Sequence, residues 1–360
     1  MKKKNIIIIV AVLVVGLVAT IVALRGSRKS TFKQDYHVAD IASVTRVFMA
    51  DKEGTHVMLE RPAAGSADTT WIVDGQYPAN QHLVDLMLET LHDMRIRQQV
   101  NRNAVPNIIA RISSSSVKVE VYQKRYAIDW FKHHLRLFPA EKLAVTYFVG
   151  NETQDLMGSF VFREGDKVPY IIHIPGFRGY ITPRFFADPT QWRSHKIIDL
   201  DINHIAEVKL DIPASPDESF TVKRNGDGFS FVAADGQVVP FDTARVAQLL
   251  SGFTNLNFDE YAQIVPNSNT DSSFVGGPRT VLRITDTDGN SREMKTYIKY
   301  VNTDDLQAMP DPEMYETFDL NRLYAIIDNS DTVLIQYYAF DNILQPASYF
   351  RGQTKTAIAK

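Results

Sequence analysis

The sequence predicts an α+β protein with an N-terminal transmembrane helix followed by two tandem duplicated β-rich α+β units. Each unit is expected to be a mostly antiparallel sheet with one main packed helix. Two observations lead to this prediction. Twenty uncharged residues, Asn5 to Leu24, follow three lysines, and the order of strand-like and helix-like segments recurs at an offset of about 160 residues. Recurrence with a fixed period indicates a repeated structural unit.

The N-terminal apolar run is long enough to cross a bilayer, since twenty helical residues span about 30 Å. It exceeds the apolar core of a cleavable signal peptide, so residues 1–24 are interpreted as an uncleaved signal anchor, with cleavage as the alternative. Lys2, Lys3 and Lys4 favour a cytoplasmic N-terminus, although Arg25 and further basic residues follow the run. We therefore expect a single-pass protein of the cytoplasmic (inner) membrane, with most of the chain periplasmic.

The first predicted unit covers residues 40–187 and follows a polar tether at residues 25–39. A hairpin is expected around the turn at Gly54, because apolar residues alternate on both sides of it. Leu83, Met87, Leu91 and Met94 recur at helical spacing and predict an amphipathic helix. A serine-rich link at 113–116 then precedes four strands, predicted at 117–122, 145–149, 159–163 and 170–174.

The second predicted unit covers residues 201–350, after a linker at 188–200 and before a tail at 351–360. Asp235-Gly236-Gln237 repeats Asp74-Gly75-Gln76, and Val265-Pro266-Asn267 repeats Val105-Pro106-Asn107. Near the end of each unit, the segment 170–186 recurs in degenerate form at 333–349. These repetitions keep one register over most of both units, which favours duplication over chance.

Composition excludes several classes of function. The formal net charge is −3, and three of the positive charges lie at the extreme N-terminus, so the body has no basic footprint for nucleic acid. The chain has no cysteine, which excludes disulfides, cysteine nucleophiles and thiolate metal sites. No metal-ligand spacing, nucleophile elbow or phosphate-binding glycine loop occurs. We expect no metal, no cofactor and no enzymatic activity.

Five segments resemble a family of membrane-anchored bacterial envelope proteins called domain of unknown function 4340. They are Trp71–Gly75, Val117–Tyr122, Thr146–Gly150, His173–Phe185 and Trp192-Arg193. The resemblance covers most of residues 1–215 and implies no particular activity. Related domains look like parts of auxiliary subunits of gliding-motility-type ABC transport systems, which implies a role in a membrane complex by association alone.

The segment 173–186 is the best candidate for a site. His173, Arg178, Tyr180 and Arg184 are the candidate binding residues, because aromatic, arginine and histidine side chains are typical of recognition loops. The alternative is a structural corner. The residues assigned to that corner are Gly176, Phe177, Gly179, Pro183 and Phe186. Phe177, Pro183 and Phe186 are included because the second copy has residues of the same character at their positions.

These observations favour a non-enzymatic scaffold or binding component of an envelope complex, held in the membrane by residues 5–24 and contacting protein partners. Two alternatives remain open at this point. One is an auxiliary subunit of an ABC-type transport system, and the other is a hydrolase or ligand-binding protein that uses the loop from His173 to Arg184.

Overall fold

The structure is a computed structural model that describes residues 36–63, 69–130, 135–262, 272–301 and 317–351. The predicted anchor at 1–24, most of the tether, residues 352–360 of the tail and the repeat Val265-Pro266-Asn267 lie outside these ranges. Within them, no helix is both long and apolar enough to span a bilayer. The chain divides into two compact units between Ser194 and His195.

The first unit is built on one antiparallel sheet, which has nine strands within the described residues, in the order β4-β3-β2-β1-β6-β7-β8-β9-β5. The strands are β1 (Val44–Ala50), β2 (His56–Glu60), β3 (Ile72–Val73), β4 (Tyr77–Pro78), β5 (Arg95–Gln99), β6 (Val117–Trp130), β7 (Leu135–Glu152), β8 (Ser159–Arg163) and β9 (Tyr170–His173).

Two longer helices cover this sheet, α1 (Gln81–Asp93) and α2 (Val105–Ser115), and short helical turns lie at Ile41–Ser43, Thr182–Arg184 and α3 (Pro189–Trp192). Helix α1 confirms the predicted amphipathic helix, and the Asn80 side chain caps its N-terminus. It packs in the main core with Val149 and Val161. The neighbouring strand residues Phe148 and Phe162 instead pack with α2. Since alternate strand residues face opposite sides, the two helices cover opposite faces.

The helix α2 corrects the sequence analysis, which predicts one main helix and a serine-rich link at 113–116. Ser113, Ser114 and Ser115 form the last turn of α2 instead. Ile108 and Ile112, four residues apart, are both buried against the sheet. This tertiary contact outweighs the weak helix preference of serine.

Strands β6 and β7 are much longer than predicted. The sequence predicts strands at 117–122 and 145–149, whereas the two pair continuously from Val117↔Val149 to Trp130↔Leu135. Their outer halves extend beyond the neighbouring strands, because β1 pairs with β6 only up to Gln123 and β8 pairs with β7 only from Tyr147. The first unit therefore carries a two-stranded extension.

Residues on both sides of the range 40–187 belong to the core of the first unit. Tyr36 is fully buried in its core, although the sequence assigns it to the tether. At the other end, Trp192 is fully buried in the same core and its ring stacks on Phe186 with 4.3 Å between centroids. Ile197 and Ile198 already belong to the core of the second unit. The predicted linker at 188–200 is thus divided between the two cores.

The second unit also contains an antiparallel sheet with nine strands in the described part of the chain, in the order β14-β13-β12-β11-β17-β18-β19-β20-β16. A separate pair is formed by β10 (Lys196–Ile198) and β15 (Leu256–Asn257). The strands of the large sheet are β11 (Ile205–Asp211), β12 (Phe220–Asn225), β13 (Gly228–Ala233), β14 (Val238–Val239), β16 (Glu260–Tyr261), β17 (Thr280–Asp286), β18 (Ser291–Tyr300), β19 (Phe318–Ile327) and β20 (Asp331–Gln336).

The helices of the second unit are α4 (Thr243–Ser251), which carries the predicted apolar face, α5 (Tyr337–Phe340) and α6 (Ala347–Phe350). Short 3₁₀ turns lie at Ile202–His204, Pro216–Glu218 and Ser272–Phe274. Val246, Leu249, Leu250 and Phe253 are buried, as the helical spacing predicts.

Among the described residues, each unit contains an arginine whose side chain donates to two backbone carbonyls and lies against an aromatic ring. We call this arrangement an arginine clasp. In the first, the side chain of Arg61 donates to the carbonyls of Val44 (2.7 Å) and Ile41 (3.1 Å), and its guanidinium lies 5.0 Å from the ring of Trp71. In the second, Arg224 donates to the carbonyls of Ile205 and Ile202, and stacks on Phe229. Each clasp holds the start of the first long strand of its sheet.

Candidate binding surface

The segment 173–186 lies at one end of the first sheet, together with the turn that joins β7 to β8. Ser159, at the start of β8, pairs with Ile172 near the end of β9, and His173 pairs with Arg95 at the start of β5. The turn at 153–158 and the loop after β9 therefore meet at the same end. We call this region the β9 surface, formed by residues 153–158, 173–186 and Arg97.

Ser159 fixes the loop to the sheet. Its hydroxyl accepts hydrogen bonds from the backbone amides of Ile181 (3.0 Å) and Thr182 (3.1 Å). The Thr182 hydroxyl donates to the carbonyl of Gly150 at 2.7 Å, so the remaining proton, on Ser159, is donated to Thr182 Oγ1. Ser159 is fully buried, and its single hydroxyl thereby satisfies two buried amides of the loop.

Arg184 is held in place by two contacts. Its Nη1 donates to the hydroxyl of Thr90 on α1 at 2.9 Å, and its guanidinium lies 4.7 Å from the centre of the Phe177 ring. Thr90 is itself fixed, since its hydroxyl donates to the carbonyl of Leu86. An arginine whose planar group is stacked and hydrogen-bonded loses little side-chain entropy on binding.

Phe177, which the sequence analysis assigns to a structural corner, lies at the surface. It is 39% exposed, while Phe340 is 1% exposed. At the position that aligns with Arg184, the second unit has Ala347, which is fully buried. The Phe177 ring also lies so close to Gly179 that a Cβ there would be 2.6 Å from a ring carbon. This close approach requires glycine.

A carboxylate and a histidine flank the loop. Asp155 accepts hydrogen bonds from the Thr153 hydroxyl (2.5 Å), from Arg97 (2.8 Å) and from the Met157 amide (3.1 Å). These bonds, that of Thr153 first, lower the pKa of Asp155 to about 2. Burial lowers the pKa of His173, and the charge of Arg97 lowers it further. Both effects favour the neutral imidazole.

The structure groups some of the predicted site residues and separates others. Arg184 contacts Phe177, whereas His173 lies in the field of Arg97. In the described part of the chain no hydrogen bond or ion pair joins His173 to Arg184. Arg178 and Pro183 are exposed, Tyr180 and Phe186 are half-buried, and Gly176 has φ of 83°.

Sequence reasoning did not find Thr90 and Ser159, which bond to the loop from other elements, or Arg97 and Asp155, which pair beside it. The pattern Thr153-x-Asp155 is typical of a side chain that closes a local turn. This pattern could have indicated, from the sequence alone, the contact between Thr153 and Asp155. No cluster of three or more metal-ligand side chains occurs among the residues that the structure describes. The adjacent histidines His133 and His134 lie outside those residues.

Residues 71–274, more than half of the chain, match the family described as domain of unknown function (DUF4340). The chain belongs to this family. The matched region begins at Trp71 and ends in the turn Ser272–Phe274, so the family pattern includes the β9 surface and continues into the second unit. No curated protein and no solved structure matches the chain.

Proposed function

We propose that this family member is a single-span envelope protein that presents two duplicated extracytoplasmic units as a non-enzymatic binding component of a membrane complex. The charge-free run from Asn5 to Leu24 supports the anchor, since its helical length equals the thickness of a bilayer core. The three lysines before it favour a periplasmic location for both units.

The paired arginine clasps support the duplication. Arg61 and Arg224 bond to carbonyls at equivalent positions of their sheets, and each stacks on an aromatic residue of the next strand segment. Both sheets also have the same order of strands by chain position. Two units of independent origin are not expected to share both the strand order and this side-chain contact.

The observation that carries the binding role is the pair Phe177–Arg184. The ring is partly exposed, and the arginine beside it is already fixed by Thr90. Aromatic and arginine side chains dominate the energetic centres of protein interfaces, and groups fixed before binding pay less entropy when they bind. Leu156 (53% exposed) and Met157 (36% exposed) add apolar area at the same end of the sheet. This combination fits a partner protein that offers an apolar side chain beside a carboxylate.

Site-specific photocrosslinking in native membranes tests this proposal. A crosslinking residue at Leu156 of the full chain is expected to capture a defined partner, whereas one at Val238, which is 68% exposed in the second unit, is not. Arg184→Lys removes the planar stack on Phe177 and is expected to lower the yield of that adduct about tenfold, equivalent to about 1.4 kcal/mol of binding free energy.

Arg245→Lys is the matched control, because Arg245 also stacks on an aromatic ring and donates to a carbonyl, both of Tyr349, but in the second unit. It should leave the adduct unchanged. Equal loss in both variants, or identical adducts at Leu156 and Val238, would count against a specific surface. If the captured partner is a transporter permease, the result favours the transport-subunit alternative.

Carbonate extraction tests the anchor separately. The full chain is expected to stay in the membrane fraction at high pH, and a reporter fused after Lys360 is expected to be active only outside the cytoplasm. Release of the chain into the supernatant would refute the single-span proposal.

A further inference from the structure

The outer halves of β6 and β7 form a two-stranded arm, here defined as residues 124–130 and 135–143. Pairing runs through it from Lys124↔Glu141 to Trp130↔Leu135. At the usual rise of a strand, seven residues beyond Gln123 project about 23 Å from the sheet. An isolated two-stranded ribbon has marginal stability in water, so this arm gains stability from whatever it contacts.

The arm exposes large apolar side chains. Leu137, Phe138 and Leu143 are 41%, 69% and 46% exposed, and Tyr126 and Ile128 are half-buried. Phe138 also has a positive φ of 57°, a conformation that a bulky residue adopts only under local constraint. Large apolar side chains left exposed on a projecting arm are candidates for a contact with a membrane or a partner.

The charges on the arm favour an anionic partner. Lys124, Arg125 and Lys142 are exposed. The carboxylate of Glu141 is already bound, since Arg46 lies 2.6 Å from it. The two strands of the arm contain four basic and two acidic residues, on a chain whose net charge is negative. Basic residues near an anionic lipid surface each contribute about 1 kcal/mol of attraction.

The chain reaches the sheet at the base of the arm. Val44, which begins β1, pairs with Gln123, and the Gln123 side chain donates to the carbonyl of Asp40 at 2.9 Å. Residues 37–40 line one side of a groove of about 600 Å³, and Arg125 and Leu143 line the other. Residues 25–35 connect Leu24 to Tyr36, a distance of at most about 40 Å when fully extended. A bilayer that holds residues 5–24 therefore lies within about 40 Å of Tyr36, so it is within reach of the arm.

We propose that the arm is a second membrane contact, in which its apolar side chains enter the interfacial layer of an anionic phospholipid bilayer and Lys124, Arg125 and Lys142 bind the headgroup phosphates. This inference rests on the proposed membrane anchor. Apolar and aromatic groups flanked by cations are the combination that binds at a lipid interface. Two contacts at the same end of the sheet fix the orientation of the first unit above the bilayer.

Quenching of tryptophan fluorescence by lipids brominated on their acyl chains tests the arm in the full chain. The protein has three tryptophans. Trp71 and Trp192 are 2% and 0% exposed, so they lie out of reach of lipid. Trp130 belongs to β6 in the arm. The full chain is reconstituted into vesicles of phosphatidylcholine and phosphatidylglycerol, with Trp130→Phe as the baseline.

We expect brominated lipid to quench the wild-type chain and to leave Trp130→Phe almost unaffected. Reversal of the three arm cations (Lys124→Glu, Arg125→Glu, Lys142→Glu) should reduce the quenching at least about twofold. Reversal of three exposed cations elsewhere in the first unit (Arg102→Glu, Arg111→Glu, Lys167→Glu) should not.

Flotation of the same vesicles separates the two proposals. A chain that does not float with the vesicles refutes the anchor. A chain that floats while Trp130 stays unquenched refutes the arm contact and leaves the anchor standing; an arm that binds a protein would give that result. Equal quenching in vesicles of phosphatidylcholine alone, unaffected by the arm reversals, would refute the headgroup contact.

Discussion

The hydroxyl of Tyr147, in β7, donates a hydrogen bond of 2.5 Å to the backbone carbonyl of Tyr36. This bond ties the centre of the first sheet to the segment through which the chain enters the unit. Tyr36 in turn donates to Asp166 at 2.7 Å, and the guanidinium of Arg163 lies 4.7 Å from its ring. The N-terminal segment is therefore an integral part of the first core.

Replacing Tyr36 by phenylalanine is expected to reduce the free energy of unfolding by about 1–2 kcal/mol, because the buried ring remains while its hydrogen bond is lost. Denaturant unfolding of the full chain measures the change. Tyr338→Phe is the control, since Tyr338 is 81% exposed, and should stay within about 0.5 kcal/mol of wild type. An equal effect of both changes would show that the Asp166 bond contributes nothing.

Stability should also fall at high pH through Tyr36. Burial, followed by the hydrogen bond to Asp166, raises its pKa above the ordinary value. Below about pH 10 both folded and unfolded states hold the proton, so the stabilisation is complete. Above that pH the unfolded state ionises first, and the free energy of unfolding falls by up to about 1.4 kcal/mol per pH unit.

The difference between wild type and Tyr36→Phe isolates this contribution from the other tyrosines of the chain. We expect the difference in unfolding free energy to shrink between about pH 9 and about pH 11. A difference that stays constant over that range would contradict the raised pKa.

Ser159→Ala is expected to cost about 1–3 kcal/mol, because it leaves the buried amides of Ile181 and Thr182 without their acceptor. The free energy of unfolding and the crosslinking yield at Leu156 should fall together, since the same hydroxyl positions the β9 surface. Ser291→Ala removes an exposed serine hydroxyl that bonds to another side chain, and should be close to neutral. A neutral Ser159→Ala would mean that the loop is held by other contacts.

The pKa of Asp155 should rise from about 2 toward its ordinary value of about 3.9 when its donors are removed. Thr153→Val should raise it more than Arg97→Gln, because the Thr153 hydroxyl is the larger cause. Carbon-13 NMR titration of the carboxyl measures both. A lowered pKa gives stabilisation that is present above about pH 3.9 and lost as the pH falls toward 2. The opposite order of the two variants would show that Arg97 dominates.

The sequence predicts elements whose pattern is local and misses those that depend on distant partners. The helix α1 is recognisable because several buried residues recur at helical spacing along it. The helix α2 has only Ile108 and Ile112 buried, and its serines resemble a loop. The arm is missed because its strands pair only with each other, so no buried face gives the regular alternation of a sheet strand.

The β9 surface contains residues that the sequence identifies and residues that it misses. The mismatch of Arg184 with Ala347 is the sequence signal that singles out Arg184 as a candidate. The alignment of the two halves assigns Phe177 to a structural corner and carries no information on how exposed its ring is. Thr90 and Ser159, far away in sequence, could be linked to the loop only through the folded sheet.

Trp192 has a consequence for folding during synthesis. Its indole donates to the carbonyl of Phe186, and its own carbonyl accepts from the amide of Asn80, at the start of α1. All nine strands of the first sheet are complete once His173 has been made, but the core lacks this fully buried ring until Trp192 has left the ribosome. Only Arg193 and Ser194 then remain before the second unit begins. The nascent first unit thus closes its core only as the second begins to emerge, and a chain interrupted at Ala187 would be released with an open core, a substrate for chaperones and proteases.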